Sequence, residues 1–223
     1  MLLKNKIKKL QCILHSRSEY NKRWICYVVN LTCFHGTSLD AGQSILRENA
    51  FREGTAKKLR MGKGAYFFCQ TCDSPAYPIL CAKELERYHY TEGKHTDGYM
   101  ILSCTIQCEE EQYLDLYDPM SMELFHRMRY QLIEQSLKKN PEFKYPNAAA
   151  ADTQVFDTIR HLRNLAVIRC PQFFGMFERE KQFLFLEGYA YPKTYVPNVI
   201  MVCADVEMAR IINIEKVDEG KFC

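Results

Sequence analysis

The chain has 223 residues, 47% hydrophobic and 26% charged. That composition excludes an intrinsically disordered chain, and the length suits one domain with an extension. The net charge of +3 does not by itself demand a nucleic-acid partner. No run approaches the roughly 18 apolar residues of a membrane span, so a membrane protein is not expected.

Residues 1–24 carry seven Lys or Arg (Lys4, Lys6, Lys8, Lys9, Arg17, Lys22 and Arg23) against Glu19 alone. They have no apolar core segment and do not read as a secretory signal. We take 1–24 as a basic extension and 25–223 as one domain. "WICYVVNLTCFHGT" follows, rich in β-branched and aromatic residues, and predicts a strand that ends at His35. "SLDAGQSILRENAF" predicts a helix capped by Ser38 or Asp40, with Ala41, Ile45 and Leu46 on one face. A second basic cluster, Arg52, Lys57, Lys58, Arg60 and Lys63 against Glu53, leads into "MGKGAYFFC", two glycines before an aromatic strand. Either basic cluster is a phosphate-directed patch or a solvated face.

"SPAYPILCAKELERYHY" predicts a helix with Ser74 as cap and Pro75 at its first position. "GYMILSCTIQC" alternates as a strand, and "YLDLYDPMSMELFHRMRYQLIEQSLKKN" turns into a helix after Asp-Pro. Residues 140–153 read as a loop, and "VFDTIRHLRNLAVI" as a helix. "KQFLFLEGYAYP", "PNVIMVCADV" and "MARIINIEKV" read as closing strands. Helices and strands mix without a regular βαβ rhythm, which predicts an α+β fold with a mainly antiparallel sheet.

Eleven cysteines is a high count, and without a signal segment a reducing cytoplasm with free thiols is expected. Cys69-x-x-Cys72 and Cys104-x₃-Cys108 do not form the two tight-turn pairs of a zinc site. Cys104 and Cys108 fall on one face of a strand as small buried residues. No metal is expected.

The order of four pieces resembles a known family. "FHGT" (34–37), "SILRENAFREG" (44–54), "GKGAYFF" (62–68) and "SPAY" (74–77) stand in the order and at the separations of the ADP-ribosyltransferase fold of the poly(ADP-ribose) polymerase type. Those domains carry a strand ending in His-Gly-Thr, then Gly-x-Gly-x-Tyr-Phe, then a Ser-x-x-Tyr helix. The match covers about the first half of the chain. "LDLYD" (114–118) and residues 185–211 are similar to later strands of small bacterial members. The resemblance implies a split, mainly antiparallel sheet and an NAD-dependent mono-ADP-ribosyltransferase of cytoplasmic location.

The resemblance also implies a set of roles. Gly36 pairs its backbone with the nicotinamide carboxamide, which a glycine's close approach allows. His35 hydrogen-bonds the adenine-side ribose, with Thr37 beside it. Gly64 belongs to the glycine motif, Tyr66 stacks on the nicotinamide ring, and Tyr77 walls the other side. A core histidine satisfied by a backbone carbonyl is the other reading of His35. Cleavage of the nicotinamide–ribose bond passes through an oxocarbenium-like state that a carboxylate stabilises. At the family's glutamate position the alignment puts Ile200, a departure from the pattern. Glu187 is the first candidate to replace it, ahead of Glu178 and Glu180. An exposed strand-edge charge is the plain reading of Glu187.

The loop 189–198, with three tyrosines, Lys193 and Asn198, corresponds to the acceptor-facing region. It suits either an ordinary turn or a grip on a base or a protein side chain. The acceptor is a macromolecule, protein or RNA/DNA. Such small stand-alone domains resemble bacterial toxins or anti-phage effectors restrained by an antitoxin protein, an analogy at fold level. Two further readings are open: a catalytically inactive NAD/ADP-ribose-binding module, which Ile200 allows, and, ranked below it, RNA 2′-phosphate transfer by a related fold.

Overall fold

Alternation of buried and exposed side chains along the strands sets the architecture. The computed structural model describes residues 27–54, 61–70, 75–94, 98–145, 148–172 and 199–222. The basic extension, Ser74, Cys72, Glu178, Glu180, Glu187 and the loop 189–198 lie outside the described residues. So does the strand expected at "KQFLFLEGYAYP".

Among the described residues there are seven strands: β1 Val28–Ser38, β2 Ala65–Cys69, β3 Tyr99–Glu109, β4 Tyr113–Asp115, β5 Val167–Gln172, β6 Val199–Ala204 and β7 Arg210–Gly220. Four helices accompany them: α1 Leu39–Glu48, α2 Ala76–Thr91, α3 Pro119–Lys139 and α4 Ala148–Arg163. The strands form one sheet in the order β4-β5-β6-β2-β1-β3-β7. Only β4 and β5 run parallel; the other pairs are antiparallel. The protein is therefore α+β with a mostly antiparallel sheet. The sheet is continuous where a split was expected, although β1 and β2 share only the pairs Cys33–Cys69 and Phe34–Phe68, whereas β1 and β3 pair from Val28 to Ser38.

Each face of the sheet carries its own apolar core. On one face Phe34, Phe68, Ile101, Met201 and Cys203 pack under α2, α3 and α4, through Cys81, Ala82, Phe125, Val155 and Phe156. On the other, Cys33, Phe67, Leu102, Cys104, Ile200 and Val202 pack with Phe51 and with Ile45 and Leu46 of α1. Full burial of each such large side chain is worth about 1.5–3 kcal/mol. Cys104 and Cys108 are buried on this second face.

Several boundaries differ from expectation. Ser38 caps α1, accepting from the Ala41 amide at 3.4 Å, but Ala41 is exposed and Gly42 is the buried position. Pro75 is the cap residue of α2 and not its first helical residue. Helix α4 begins within the expected loop, at Ala148, because alanines are the strongest helix formers. It ends before Asn164, whose φ of 53° is left-handed, and "AVI" becomes the start of β5. At the sheet's far edge, β7 pairs with β3 through two register shifts and carries Asn213 at φ 54°. No helix among the described residues is long and apolar enough to cross a membrane.

Candidate functional site

His35 does not end its strand; β1 continues to Ser38. The ladder explains its setting. Gln70 N–H donates to the Thr32 carbonyl at 2.9 Å, which marks Thr32 and Gln70 as a hydrogen-bonded pair. Alternation then makes Cys33–Cys69 a non-hydrogen-bonded pair and turns the backbone groups of Phe34 and Gly36 toward β2. Residue pairing stops at Phe34. Just beyond it, His35 Nδ1–H donates to the Tyr66 carbonyl at 2.7 Å. The imidazole thus replaces a ladder bond where the strands part. At that nitrogen His35 behaves as a histidine satisfied by a backbone carbonyl.

The ring packs edge-on to Phe51 at 5.2 Å and against Phe67 at 5.5 Å, on the α1 face of the sheet. Burial lowers its pKa, against the Tyr66 carbonyl and the charge of Glu86, which raise it. A neutral ring that donates through Nδ1 keeps Nε2 as an acceptor. Thr37 is buried two residues on, and Ile200, at 4% exposure, belongs to the apolar core of this same face.

Gly36, Tyr66 and Tyr77 lie on the opposite face. A Cβ on Gly36 would meet the Ala82 carbonyl at 2.6 Å and Glu86 Cγ at 2.9 Å, so only glycine lets α2 sit this close to β1. Gly64, at φ 144°, is bound in the same way: a Cβ there would meet the Ala204 carbonyl at 2.6 Å. The Tyr66 hydroxyl donates to the Gly62 carbonyl at 2.6 Å and accepts from the Met61 amide at 2.9 Å. Its pKa is raised, by burial first and then by Cys203. Tyr77, in the first turn of α2, packs partly buried against the core of this face. The structure therefore brings Gly36, Gly64, Tyr66 and Tyr77 to one face and His35, Thr37 and Ile200 to the other. His35, Gly36 and Tyr66 meet where the β1–β2 pairing stops, whereas Ile200 lies toward the paired end of β2, beside Cys69.

Two further residues stand out that sequence reading passes over. Glu86, 1% exposed, lies against Gly36 and is bonded to His89 Nδ1 at 3.1 Å. With Thr37 it makes up the buried polar side chains of the described residues. A buried carboxylate is costly and is kept only where it is paired. In sequence it sits among Lys83, Glu84 and Arg87 and reads as one more solvated helix charge; its place three residues before His89 is the only hint. Arg160, from α4, donates to the Lys63 carbonyl of the glycine loop and to Cys203 Sγ at 3.3 Å. Its buried Nε has no hydrogen-bond acceptor. Beside α2, a cavity of about 500 Å³ is lined by Lys83, Arg87, Tyr90, Tyr99, Lys221 and Phe222. Tyr99 there is paired with Ser38, two residues past Gly36. No three His, Cys, Asp or Glu side chains among the described residues gather as a metal site.

Compared with family models, with curated proteins and with solved structures, the chain has no match.

Proposed function

We propose that the protein is an NAD-dependent mono-ADP-ribosyltransferase acting on a macromolecular acceptor, protein or nucleic acid. The observation that carries this reading is the β1–β2 seam. Residue pairing stops there, His35 bridges to Tyr66, and Gly36 turns its amide and carbonyl toward the opening. A backbone donor and acceptor side by side suit a carboxamide, and two tyrosines on the same face suit a flat cationic ring. NAD suits the remaining groups as well. Arg160 has a buried donor without an acceptor beside the glycine loop, and the cavity beside α2 joins Lys83, Arg87 and Lys221 to aromatic rings. Cations over aromatic walls are the chemistry that holds phosphate and base.

In this reading His35 Nε2 accepts from a ribose hydroxyl reached across the seam. Glu86, against Gly36, is a carboxylate at the nicotinamide end, and it supports the oxocarbenium-like state as nicotinamide leaves. Glu187 is a second carboxylate for that task. The acceptor's nucleophile then bonds to the ribose carbon. An antitoxin partner belongs to the same proposal by analogy only.

Ile200 favours a second reading, an NAD/ADP-ribose-binding module without turnover, because the residue is apolar and buried. Labelled NAD incubated with the protein and a cell lysate separates the two. Label in the protein or the nucleic-acid fraction, lost with Glu86→Gln, supports transfer and names the acceptor class. NAD binding by calorimetry without label in either fraction supports the module. Neither binding nor label overturns both.

A further inference from the structure

Three cysteines stand in a row across neighbouring strands: Cys69 on β2, Cys33 on β1 and Cys104 on β3. All are free thiols, buried on the α1 face. From the strand geometry we propose that Cys33 and Cys69 form a dithiol site that a small-molecule disulfide converts to a cross-strand disulfide, locking β1 to β2 two residues from His35.

The ladder selects this pair over Cys33–Cys104. Cys33–Cys69 is the non-hydrogen-bonded pair identified above, in which the Cα atoms are about 4.5 Å apart and the side chains are closest. That spacing lies within the range of about 4.4–6.8 Å that a disulfide spans. By alternation the backbone of Cys33 faces β3, so Cys33–Cys104 is a hydrogen-bonded pair with its side chains farther apart. The thiol chemistry selects the same partner. Cys69 is drawn below its ordinary pKa, first by a hydrogen bond from Cys33 and then, against its own burial, by the Arg169 guanidinium. Burial pushes Cys104 up to about 12 and Cys33 well above its ordinary range. Cys69 is therefore the attacking thiolate.

The exchange balances. The Cys69 thiolate attacks one sulfur of a low-molecular-weight disulfide and releases one thiolate. Cys33 then loses its proton and attacks Cys69 Sγ, displacing the second. Two protein thiols are oxidised, one external disulfide is reduced to two thiols, and one protein disulfide forms. Both cysteines are buried, so the oxidant enters when the seam opens, and the join that must part is two residue pairs long. The site stands whatever ligand the seam binds.

The test incubates the full chain in glutathione disulfide, quenches it with acid, alkylates it in denaturant and maps its peptides by mass spectrometry. The expected result is a Cys33–Cys69 linked peptide, with alkylation lost at both residues together and restored by reduced glutathione. The oxidised protein should also melt several degrees higher. Cys104→Ser should leave the linkage intact, and Cys69→Ser should abolish it without re-pairing Cys33. Two results overturn the proposal: Cys33 and Cys69 both alkylated in full after oxidation, or Cys33 joined to any other cysteine.

Discussion

His35 donates Nδ1–H to the carbonyl of Tyr66 at 2.7 Å, one residue past the last β1–β2 pair. One side chain thereby holds together two strands whose backbones have stopped pairing, and it fixes its own tautomer in doing so. The first expectation concerns this ring. Burial keeps its pKa below the ordinary 6.5, although the Tyr66 carbonyl and Glu86 pull it upward. As pH falls below 6.5 the unfolded chain binds a proton at His35 before the folded protein does. The stability associated with the neutral ring is therefore complete above 6.5 and declines from there down through the folded value. Urea midpoints from pH 7.5 to 5 should fall more steeply for the native protein than for His35→Gln. Identical slopes would remove His35 as the titrating group.

Tyr66→Phe isolates the hydroxyl. It leaves the Met61 amide, on a fully buried residue, without its acceptor. The expected cost is about 1–3 kcal/mol, read by urea unfolding. Tyr66→Ala is consequently a poor test of ring stacking, because it also loosens the glycine loop. A Tyr66→Phe variant as stable as the parent would show that water satisfies the amide.

Gly36→Ala places a methyl group on the Ala82 carbonyl and Glu86. Backbone cannot yield as a side-chain tip does, so α2 must shift, at a cost of about 1–3 kcal/mol. Calorimetry should show weakened NAD binding as well as a lower Tm. A drop in Tm with unchanged NAD affinity would leave Gly36 as a packing residue alone.

Glu86→Gln keeps the volume and removes the charge. Transfer should fall about 100-fold or more with NAD affinity nearly unchanged, the pattern of a group that acts in the transition state. Glu187→Gln, measured in parallel, shows which carboxylate carries the reaction. Full turnover in Glu86→Gln would return Glu86 to a structural pairing with His89.

Much of the fold is legible in the residues. β1, β3 and β7 announce themselves by β-branched content and alternation, β6 by an apolar run that follows Pro197-Asn198, and Asp118 before Pro119 signals the start of α3. β5 is not legible: Leu165, Ala166, Val167 and Ile168 are all fully buried, and a short, wholly apolar run has no period to separate strand from helix. In the candidate site, the two motifs that carry His35, Gly36 and Tyr66 lie side by side on β1 and β2. Motif spacing says nothing of which face each side chain takes. That depends on the β1–β2 register, and a one-residue slip would exchange the two faces. Glu86 escapes notice for a related reason, since its burial comes from α2 resting on a glycine far away in sequence.

The two outer strands of the sheet have a further consequence. β4 is three residues long, and β7 is long but interrupted by two register shifts and studded with Glu215, Lys216, Asp218 and Glu219. A stray strand from another molecule would find, among the described residues, one border too short to template it and another kinked and charged against it. These two borders are thereby guarded against joining copies of the protein into a continuous ribbon.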